Sequence, residues 1–357
     1  MRKIKNLFPV IIICILLLSG YTQSVEAASN TKLYNDINST HWAYKSISKM
    51  KDLKIMGEVS NGKFYPEQSI TRAQAVQYLF NALKVKKTAK TNFLFKDVPQ
   101  NATYKDALYT LTSLGVIYDT EKFNPNSHLT RAELTKILSV AFKIEVDNKN
   151  RTTFRDVSSS HWAKDYIGTL GDINIVKGTS TNYFSPNQTV TRAQMATFLD
   201  RILTFQKQVA SNEMIYDYLQ RGYISTINPY PTWTTKVIEL VNAERKKQGL
   251  SVLQADSKLT QLAVIKGNDM ILRKYFEHLS PFYGYAWDMA GVFDYSFTSI
   301  GENLARNSTS PEAVVQAWMK STSHKNNMMN TSYTNIGVAC VKGKDGQLYW
   351  VQLFSKK

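Results

Sequence analysis

The chain has 357 residues, a formal net charge of +16 and two cysteines. This length predicts about two domains, and the excess positive charge indicates an acidic partner. The low cysteine count excludes a small disulfide-stapled fold, and the absence of a recognisable nucleic-acid module excludes nucleic acid as the expected partner.

Residues 1–27 have the pattern of a secretory signal peptide. A basic start (MRKIK) precedes the apolar stretch LFPVIIICILLL, which is too short to span a membrane comfortably, and a small-residue cleavage site stands before Ala28. Cys14 lies inside the apolar stretch rather than after small residues, so lipidation is not expected; an uncleaved anchor is the alternative. The sequence therefore predicts a secreted chain without a membrane span after cleavage, in which Cys340 is the remaining cysteine.

Three similar stretches follow, ITRAQAVQYL, LTRAELTKIL and VTRAQMATFL, and their threonines are 59 and 61 residues apart. A Thr with Gln or Glu three residues later is a capping box, and the apolar residues after it recur at helical spacing. Each stretch therefore predicts the start of a capped helix within an internal repeat. The capping pairs are Thr71 with Gln74, Thr130 with Glu133, and Thr191 with Gln194.

Capping leaves the arginine of each stretch unexplained, because a cation in the first helical turn opposes the helix dipole. Free N–H groups at a helix start bind anions, and a planar guanidinium matches a carboxylate. We therefore predict that the three arginines bind an anionic ligand and can be replaced without loss of the fold, and surface arginines without a role are the alternative. These residues are Arg72, Arg131 and Arg192.

Other landmarks keep the same spacing: a Phe seven residues and a Pro five residues before each Thr, and a His-Trp pair in NDINSTHWA and RDVSSSHWA that the middle copy lacks. The pattern DV…HWA…F.P…TRA resembles the S-layer homology repeat of Gram-positive surface proteins. The resemblance implies a mainly α, pseudo-threefold domain that binds secondary cell-wall polysaccharide noncovalently, commonly through an acidic pyruvylated sugar. The implied contacts are Arg72, Arg131 and Arg192, with Trp42 and Trp162 of the His-Trp pairs.

The repeat pattern stops at about residue 205, and Pro229 and Pro231 mark the end of a linker. Three helices are then predicted, in TTKVIELVNAERKKQGL before Gly249, in DSKLTQLAVIKGNDMI after Asp256 as N-cap, and in SPEAVVQAWMKS. The last stretch, TNIGVACVKGKDGQLYWVQLFSKK, predicts two strands joined by a turn. The second domain is therefore expected to be α+β.

Five motifs in this half, LVNAERKKQGL, FEHLSP, GENLA, AWMKSTSHKNNMM and NIGVACV…YWVQLF, resemble the CAP superfamily of cysteine-rich secretory, antigen 5 and pathogenesis-related 1 proteins, in its short bacterial branch. The resemblance implies an α-β-α sandwich whose cavity gathers two histidines and two acidic side chains. Its fourth member is assigned from YAWDMAG, where the aromatic stretch departs from the polar loop usual in the family. The implied cavity residues are His278, Asp288, Glu302 and His324.

Imidazole and carboxylate groups are suitable ligands for zinc or another divalent cation. His278, His324 and Glu302 are therefore the expected metal ligands, and a structural tie between loops is the alternative of equal weight. A metal with an open position could activate water for hydrolysis, but the resemblance implies no settled enzymatic activity. Asn303, beside Glu302, is expected to be a positioning group.

The expected organisation is a signal peptide (1–27), repeats at 28–90, 91–149 and 150–208, a linker (209–232) and a CAP domain (233–357). The preferred hypothesis is a secreted protein held at the cell wall that presents its CAP domain in a binding or effector role, with a ligand that the sequence does not identify. The alternatives are a metal-dependent hydrolase of the wall zone and a structural S-layer component.

Overall fold

The computed structural model describes residues 33–90 and 92–357, so the predicted signal peptide lies outside the described residues. The chain is multidomain, with a helical region followed by an α+β domain, as the sequence predicts. None of the helices in these two ranges has the length and apolar character that crossing a membrane requires.

Each repeat contributes a short helix and a longer one, and the apolar faces of all six bury one shared core. The phenylalanine that precedes each capping box is fully or almost fully buried in it, at Phe64, Phe123 and Phe184. The helix pairs are α1 (Tyr44–Asp52) with α2 (Arg72–Leu83), α3 (Lys105–Ser113) with α4 (Arg131–Ala141), and α5 (Lys164–Asp172) with α6 (Arg192–Ala210).

The three predicted capping boxes are confirmed at the starts of α2, α4 and α6. The next backbone donors are not free, however, because the first two N–H groups of each helix bond to carbonyl groups of another repeat. In α2, for example, Arg72 N–H donates to Ser127 O at 2.8 Å and Ala73 N–H to Pro125 O at 3.0 Å. The expectation that these helix starts offer free N–H groups to an anion is therefore wrong.

An aspartate at the start of each repeat fixes the loop that carries the buried phenylalanine. The Asp36 carboxylate accepts hydrogen bonds from the backbone N–H groups of Phe64 at 2.8 Å and Tyr65 at 2.7 Å. Asp97 and Asp156 accept the equivalent bonds in the second and third repeats. The Asp and Phe of the repeated pattern are thus two ends of one loop contact.

The predicted linker contains a β-hairpin. Strands β1 (Met214–Asp217) and β2 (Gly222–Ser225) pair in antiparallel register between the end of α6 and the start of α7 (Pro231–Lys247). The sequence does not predict these strands, since each is four residues long and neither alternates between apolar and polar positions.

The two faces of the hairpin contact different domains, because alternate residues of a strand point to opposite faces. Met214 and Tyr223 pack against the core of the repeats, and the Tyr223 ring meets Phe205 edge-on at 4.9 Å. Ile215 and Ile224 pack against the core of the second domain. The hairpin therefore joins the two domains by packing as well as by the chain.

The second domain is built on a four-stranded sheet in the order β3-β5-β6-β4. Strands β4, β6 and β5 are antiparallel, and β3 is parallel to β5. The predicted terminal hairpin is confirmed as β5 and β6. The strands are β3 (Gln254–Ala255), β4 (Ser299–Arg306), β5 (Asn335–Lys342) and β6 (Leu348–Lys356).

Helices cover both faces of this sheet, and each face has its own apolar core. Helix α8 packs on β5 and β6 and contributes to the core that includes Leu259 and Val351. Helices α7 and α10 pack together on the other side, over Trp318 and Trp350. The remaining helices of the domain are α8 (Ser257–Arg273), α9 (Ala286–Val292), α10 (Pro311–Lys320) and α11 (Thr322–Met329).

Candidate functional site

Two of the three repeated arginines are buried inside the repeat domain. Arg131 is 2% exposed and Arg192 is 1% exposed. The Nε of Arg192 donates to Phe64 O at 2.6 Å and its Nη2 to Gly57 O at 2.7 Å, while the guanidinium lies over the Phe64 ring. These contacts hold the loop of the first repeat against the third.

Arg131 makes the equivalent contacts with the third repeat. Its Nε donates to Phe184 O and its Nη2 to Lys177 O, both at 2.8 Å. Burial lowers the pKa of Arg131 to about 10, against the opposing effect of the Asp156 carboxylate, so the guanidinium stays charged at neutral pH. Removing either arginine would leave buried carbonyl groups without a donor. The expectation that all three arginines can be replaced without loss of the fold is therefore not supported.

Arg72 occupies a different environment. Its Nε donates to Phe123 O at 2.8 Å, as in the other two repeats, but its side chain is 25% exposed. Its nearest acidic atom is Glu133 Oε1, which lies 3.9 Å from Nη1. Glu133 Oε2 already accepts two 2.8 Å bonds from Thr130, so this carboxylate is partly committed to capping α4.

A cavity of about 370 Å³ opens beside Arg72. All three repeats contribute to its lining: Arg72 from the first, the loop after α3 and the side of α4 from the second, and Trp162 from the third. Lys136 also lines the cavity, and its Nζ lies 4.9 Å from the centre of the Tyr118 ring. The cavity thus combines two cations with exposed aromatic rings.

Both tryptophans of the His-Trp pairs are exposed, Trp42 by 61% and Trp162 by 56%. Each ring is stacked on its own histidine, His41 or His161, at 5.7 and 5.8 Å. Trp162 lines the Arg72 cavity, whereas Trp42 does not. The structure therefore brings together Arg72 and Trp162 and separates them from Trp42 and the two buried arginines.

In the second domain the structure brings together His278, Glu302 and His324. His278 Nδ1 lies 2.7 Å from Glu302 Oε1, and the Glu302 side chain is only 5% exposed. Its second oxygen, Oε2, is buried and has no hydrogen-bond partner among the described residues. Burial, and secondarily the charge of His278, lower the pKa of His324 below 6.5. His324 is therefore neutral at pH 7.

Asp288 does not join this cluster. Its carboxylate accepts a 2.9 Å bond from the N–H of Tyr285 and so caps α9. No three His, Cys, Asp or Glu side chains within residues 33–90 and 92–357 are placed to hold a metal ion. His278 Nδ1 is engaged by Glu302 in this arrangement, and a metal at His278, His324 and Glu302 stays a prediction.

The sequence does not predict the polar layer that lies beneath the cluster. The buried Lys266 donates to the backbone carbonyl of His278 at 2.7 Å. Asp269, also buried, accepts a 2.7 Å bond from Ser280 Oγ, and that hydroxyl accepts from two backbone N–H groups in its own turn. Ser280 is therefore a turn residue. The position of Lys266 within an apolar helix is the signal that could have suggested its burial.

Asn303 is confirmed as a positioning group. Its side-chain N–H donates to the carbonyl of His324 at 3.0 Å and to Gln352 Oε1 at 2.9 Å. Asn327 donates to Asn303 Oδ1 and to the carbonyl of Glu302. These amides connect β4 to α11. They fix the backbone at Glu302 and at His324.

Comparison with known proteins agrees with this organisation. Residues 33–76, 94–135 and 153–196 match the S-layer homology domain, and residues 238–354 match the cysteine-rich secretory protein family. An extracellular protein with an SCP domain from Bacillus anthracis is a structural neighbour, with 26% identity over 38% of this chain and 46% of its own and a TM-score of 0.33.

Two curated relatives match different halves. The uncharacterized protein YkwD of Bacillus subtilis is 46% identical over 34% of this chain and 46% of its own length. The surface-layer 125 kDa protein of Lysinibacillus sphaericus is 32% identical over 50% of this chain and 16% of its own length. The chain therefore spans less than half the length of each. It carries three S-layer homology repeats followed by a domain of the cysteine-rich secretory protein family.

Proposed function

We propose that the three repeats attach this protein noncovalently to an acidic, pyruvylated polysaccharide of the cell wall and present the CAP domain at the cell surface. The match to S-layer homology domains and to a surface-layer protein supports a cell-surface location. The arginine of each repeat contacts the loop of another in a cyclic order, which supports a pseudo-threefold arrangement.

The observation that carries this proposal is the cavity beside Arg72. A guanidinium with unoccupied terminal nitrogens can bind a carboxylate through two parallel hydrogen bonds, and Lys136 adds a second positive charge. The exposed face of Trp162 offers an apolar surface on which a sugar ring can pack. The cavity is therefore suited to a sugar that carries a carboxylate.

Sedimentation of the full chain with purified cell walls tests the proposal. Replacing Lys136 and Trp162 together by alanine should reduce the bound fraction about tenfold or more, since one charge contact and one stacking surface are lost. Trp42→Ala is the matched control, because Trp42 is equally exposed but lies outside the cavity. Wild-type protein that stays in the supernatant would contradict the proposal, as would equal effects of the control and the double variant.

For the CAP domain we propose a binding or effector role. His278 is exposed and His324 is partly exposed, and both can donate and accept hydrogen bonds at the surface. The buried Glu302 and the buried amides of Asn303 and Gln352 support them from beneath. A structural S-layer role is less well supported, because the residues after the repeats match the cysteine-rich secretory protein family.

Hydrolysis is the second candidate, and one observation favours it. A buried carboxylate that holds His278 Nδ1 fixes the orientation of the ring and leaves Nε2 able to accept a proton, as in general-base catalysis. A panel of wall peptide, glycan, ester and protein substrates tests this role. Turnover that is lost in Glu302→Gln, with folding intact, would favour the hydrolase, whereas absence of turnover throughout would favour the binding role.

A further inference from the structure

We infer that only the groove beside Arg72 binds the acidic sugar, and that the loops of the first and third repeats close the other two arginine positions. Each chain would then bind one acidic residue of the polymer rather than three. This inference rests on the proposed wall binding and adds the number and place of the binding sites.

The loops that lead to the buried phenylalanines differ in length. Seven residues separate Met56 from Phe64 and Val176 from Phe184, whereas five separate Ile117 from Phe123. The two longer loops each form a small antiparallel bridge, Ser60 with Lys63 and Ser180 with Tyr183. The shorter loop has no equivalent bridge among the described residues.

The longer loops supply the carbonyl groups that occupy the arginines. The residue after Met56 is Gly57 and the residue after Val176 is Lys177, and their carbonyls accept from Nη2 of Arg192 and Arg131 at 2.7 and 2.8 Å. The equivalent residue of the second repeat is Tyr118, whose carbonyl accepts no hydrogen bond from Arg72. The shorter loop therefore leaves the terminal nitrogens of Arg72 facing the cavity.

The helices that line the three grooves differ at one position. Seven residues after the capping threonine stand Tyr78 in α2 and Phe198 in α6, and both rings cover the buried guanidinium of another repeat. The Tyr78 hydroxyl also accepts a hydrogen bond from Arg192. In α4 this position is Ile137, which lines the cavity beside Arg72 without covering the guanidinium in the same way. The two aromatic rings therefore cover their arginines: a cavity of about 660 Å³ lies beside Gly57 and Tyr78, but Arg192 does not line it. The aliphatic side chain of Ile137 leaves Arg72 in the lining of its own cavity.

Charge also distinguishes the open groove. The residue six positions after the capping threonine is Gln77 in the first repeat, Lys136 in the second and Thr197 in the third. The open groove is thus the one with a cation at this position. Glu133 Oε2 is held by Thr130 and its Oε1 lies 3.9 Å from Arg72 Nη1, so the groove has two cations against one acid and keeps an excess positive charge for an incoming carboxylate.

Titration calorimetry of the full chain with a purified, pyruvylated wall-polysaccharide fragment tests the inference. We expect one binding site per chain, and a 10- to 100-fold weaker affinity in Arg72→Gln, because a charge-assisted contact is lost while the amide can still donate to Phe123 O. Unfolding curves of the variant check that the fold is retained. Two or three sites per chain, or unchanged affinity in Arg72→Gln, would overturn the inference and leave the proposed anchoring intact.

A loop exchange separates groove closure from loss of the arginine. Replacing residues 118–122 with residues 177–183 gives the second repeat the longer loop while Arg72 is kept, and we expect binding to be lost. A folded exchange variant that binds as wild type would refute closure by the loop. If the exchange variant does not fold, the wild-type stoichiometry and Arg72→Gln still decide the inference. Absence of binding by wild type would instead reject the anchoring function itself.

Discussion

The arginine of each repeat has one sequence context but two physical roles. Arg131 and Arg192 are enclosed by rings and carbonyl groups, whereas Arg72 shares with them the Nε contact and the phenylalanine ring beneath it but not the Nη2 bond to a loop carbonyl. A buried charge is tolerated when hydrogen bonds replace its hydration, which the two enclosed arginines achieve. The motif therefore predicts the residue, and the neighbouring loop decides whether its guanidinium is enclosed in the fold or lines a cavity.

This difference predicts unequal losses of stability. Arg192→Ala should lower the free energy of unfolding by roughly 3–5 kcal/mol, because Phe64 O and Gly57 O lose their donor and a fully buried space is left. Arg72→Ala should cost about 1 kcal/mol, since one shared hydrogen bond is lost at a partly exposed site. Calorimetric unfolding of the full chain measures both, and equal shifts would contradict the two roles.

Asp256 gives a pH prediction for the CAP domain. Burial alone would raise its pKa, but hydrogen bonds from Lys357 Nζ at 2.6 Å, from Leu259 N–H and from Tyr295 lower it overall. A lowered folded pKa means that the contribution to stability is present above the unfolded value of about 3.9 and is lost as pH falls through the folded value.

Asp256→Asn should therefore destabilise the domain by about 1 kcal/mol at pH 6 and by less at an acidic pH below the lowered folded pKa, where the wild-type carboxyl is also neutral. The amide retains a cap for α8, so the helix start is preserved. Chemical unfolding at the two pH values measures the difference, and a penalty independent of pH would show that the ion pair with Lys357 contributes nothing.

At the scale of elements, an aromatic hydroxyl fixes the turn of the β1–β2 hairpin to the CAP domain, in addition to the packing of Ile215 and Ile224. Tyr283 OH donates to the fully buried Asp217 carboxylate and accepts from Gln220. Asp217 also accepts from the N–H groups of Leu219 and Gln220 and so shapes the turn of the hairpin. The Asp217 side chain thus shapes the hairpin turn and attaches it to Tyr283 of the CAP domain.

Tyr283→Phe should lower the stability of the hairpin contact by about 1–3 kcal/mol, because a buried carboxylate oxygen loses its donor while the ring remains. Limited proteolysis of the full chain should then cut within 209–232 faster than in wild type. Tyr218→Phe is the control, because its side chain is 73% exposed at the same turn. Equal cleavage rates in both variants would show that the hydroxyl does not hold the hairpin.

Elements with strong local signals could be predicted from the sequence. The capping boxes, the helix starting after Asp256 and the terminal hairpin all follow from contacts within a few residues of each other. The hairpin in the linker could not be predicted, because both of its faces are apolar and each is covered by a different domain. Periodicity reports a buried and an exposed face, and here neither face is exposed.

The motifs also predict some residues of the candidate sites and not others. The motifs predict that His278, Glu302 and His324 lie together, and the structure places them so. Asp288, which the motif assigns to the cavity, caps α9 instead of hydrogen-bonding to the cluster, since a carboxylate near a helix start can cap that helix. The difference among the three arginines depends on a two-residue difference between loops that lie far away in sequence, which no pattern around the arginines records.

At the scale of the whole molecule, the CAP domain as a folding unit begins before the family match. Ile215 and Ile224 cover the core beside α8, so a fragment of residues 233–357 would expose this surface. It should unfold roughly 5–10 °C below a fragment of residues 212–357, from the loss of about 2–3 kcal/mol of apolar burial. Calorimetry of the two fragments checks this, and equal midpoints would mean that the hairpin only connects the domains.

The hairpin also has a mechanical consequence. The chain enters it beside Glu213 and leaves at Thr226, and these two residues are hydrogen-bonded at 3.0 Å at its open end. If the repeat domain is held at the wall and the CAP domain is pulled, the hydrogen bonds between β1 and β2 would therefore break one pair after another, from the open end toward the turn. Fully drawn out, residues 214–225 would add about 40 Å of slack at roughly 3.4 Å per residue. We expect the hairpin to lengthen before either domain unfolds, and pulling on single molecules would show this as an early extension of about 40 Å.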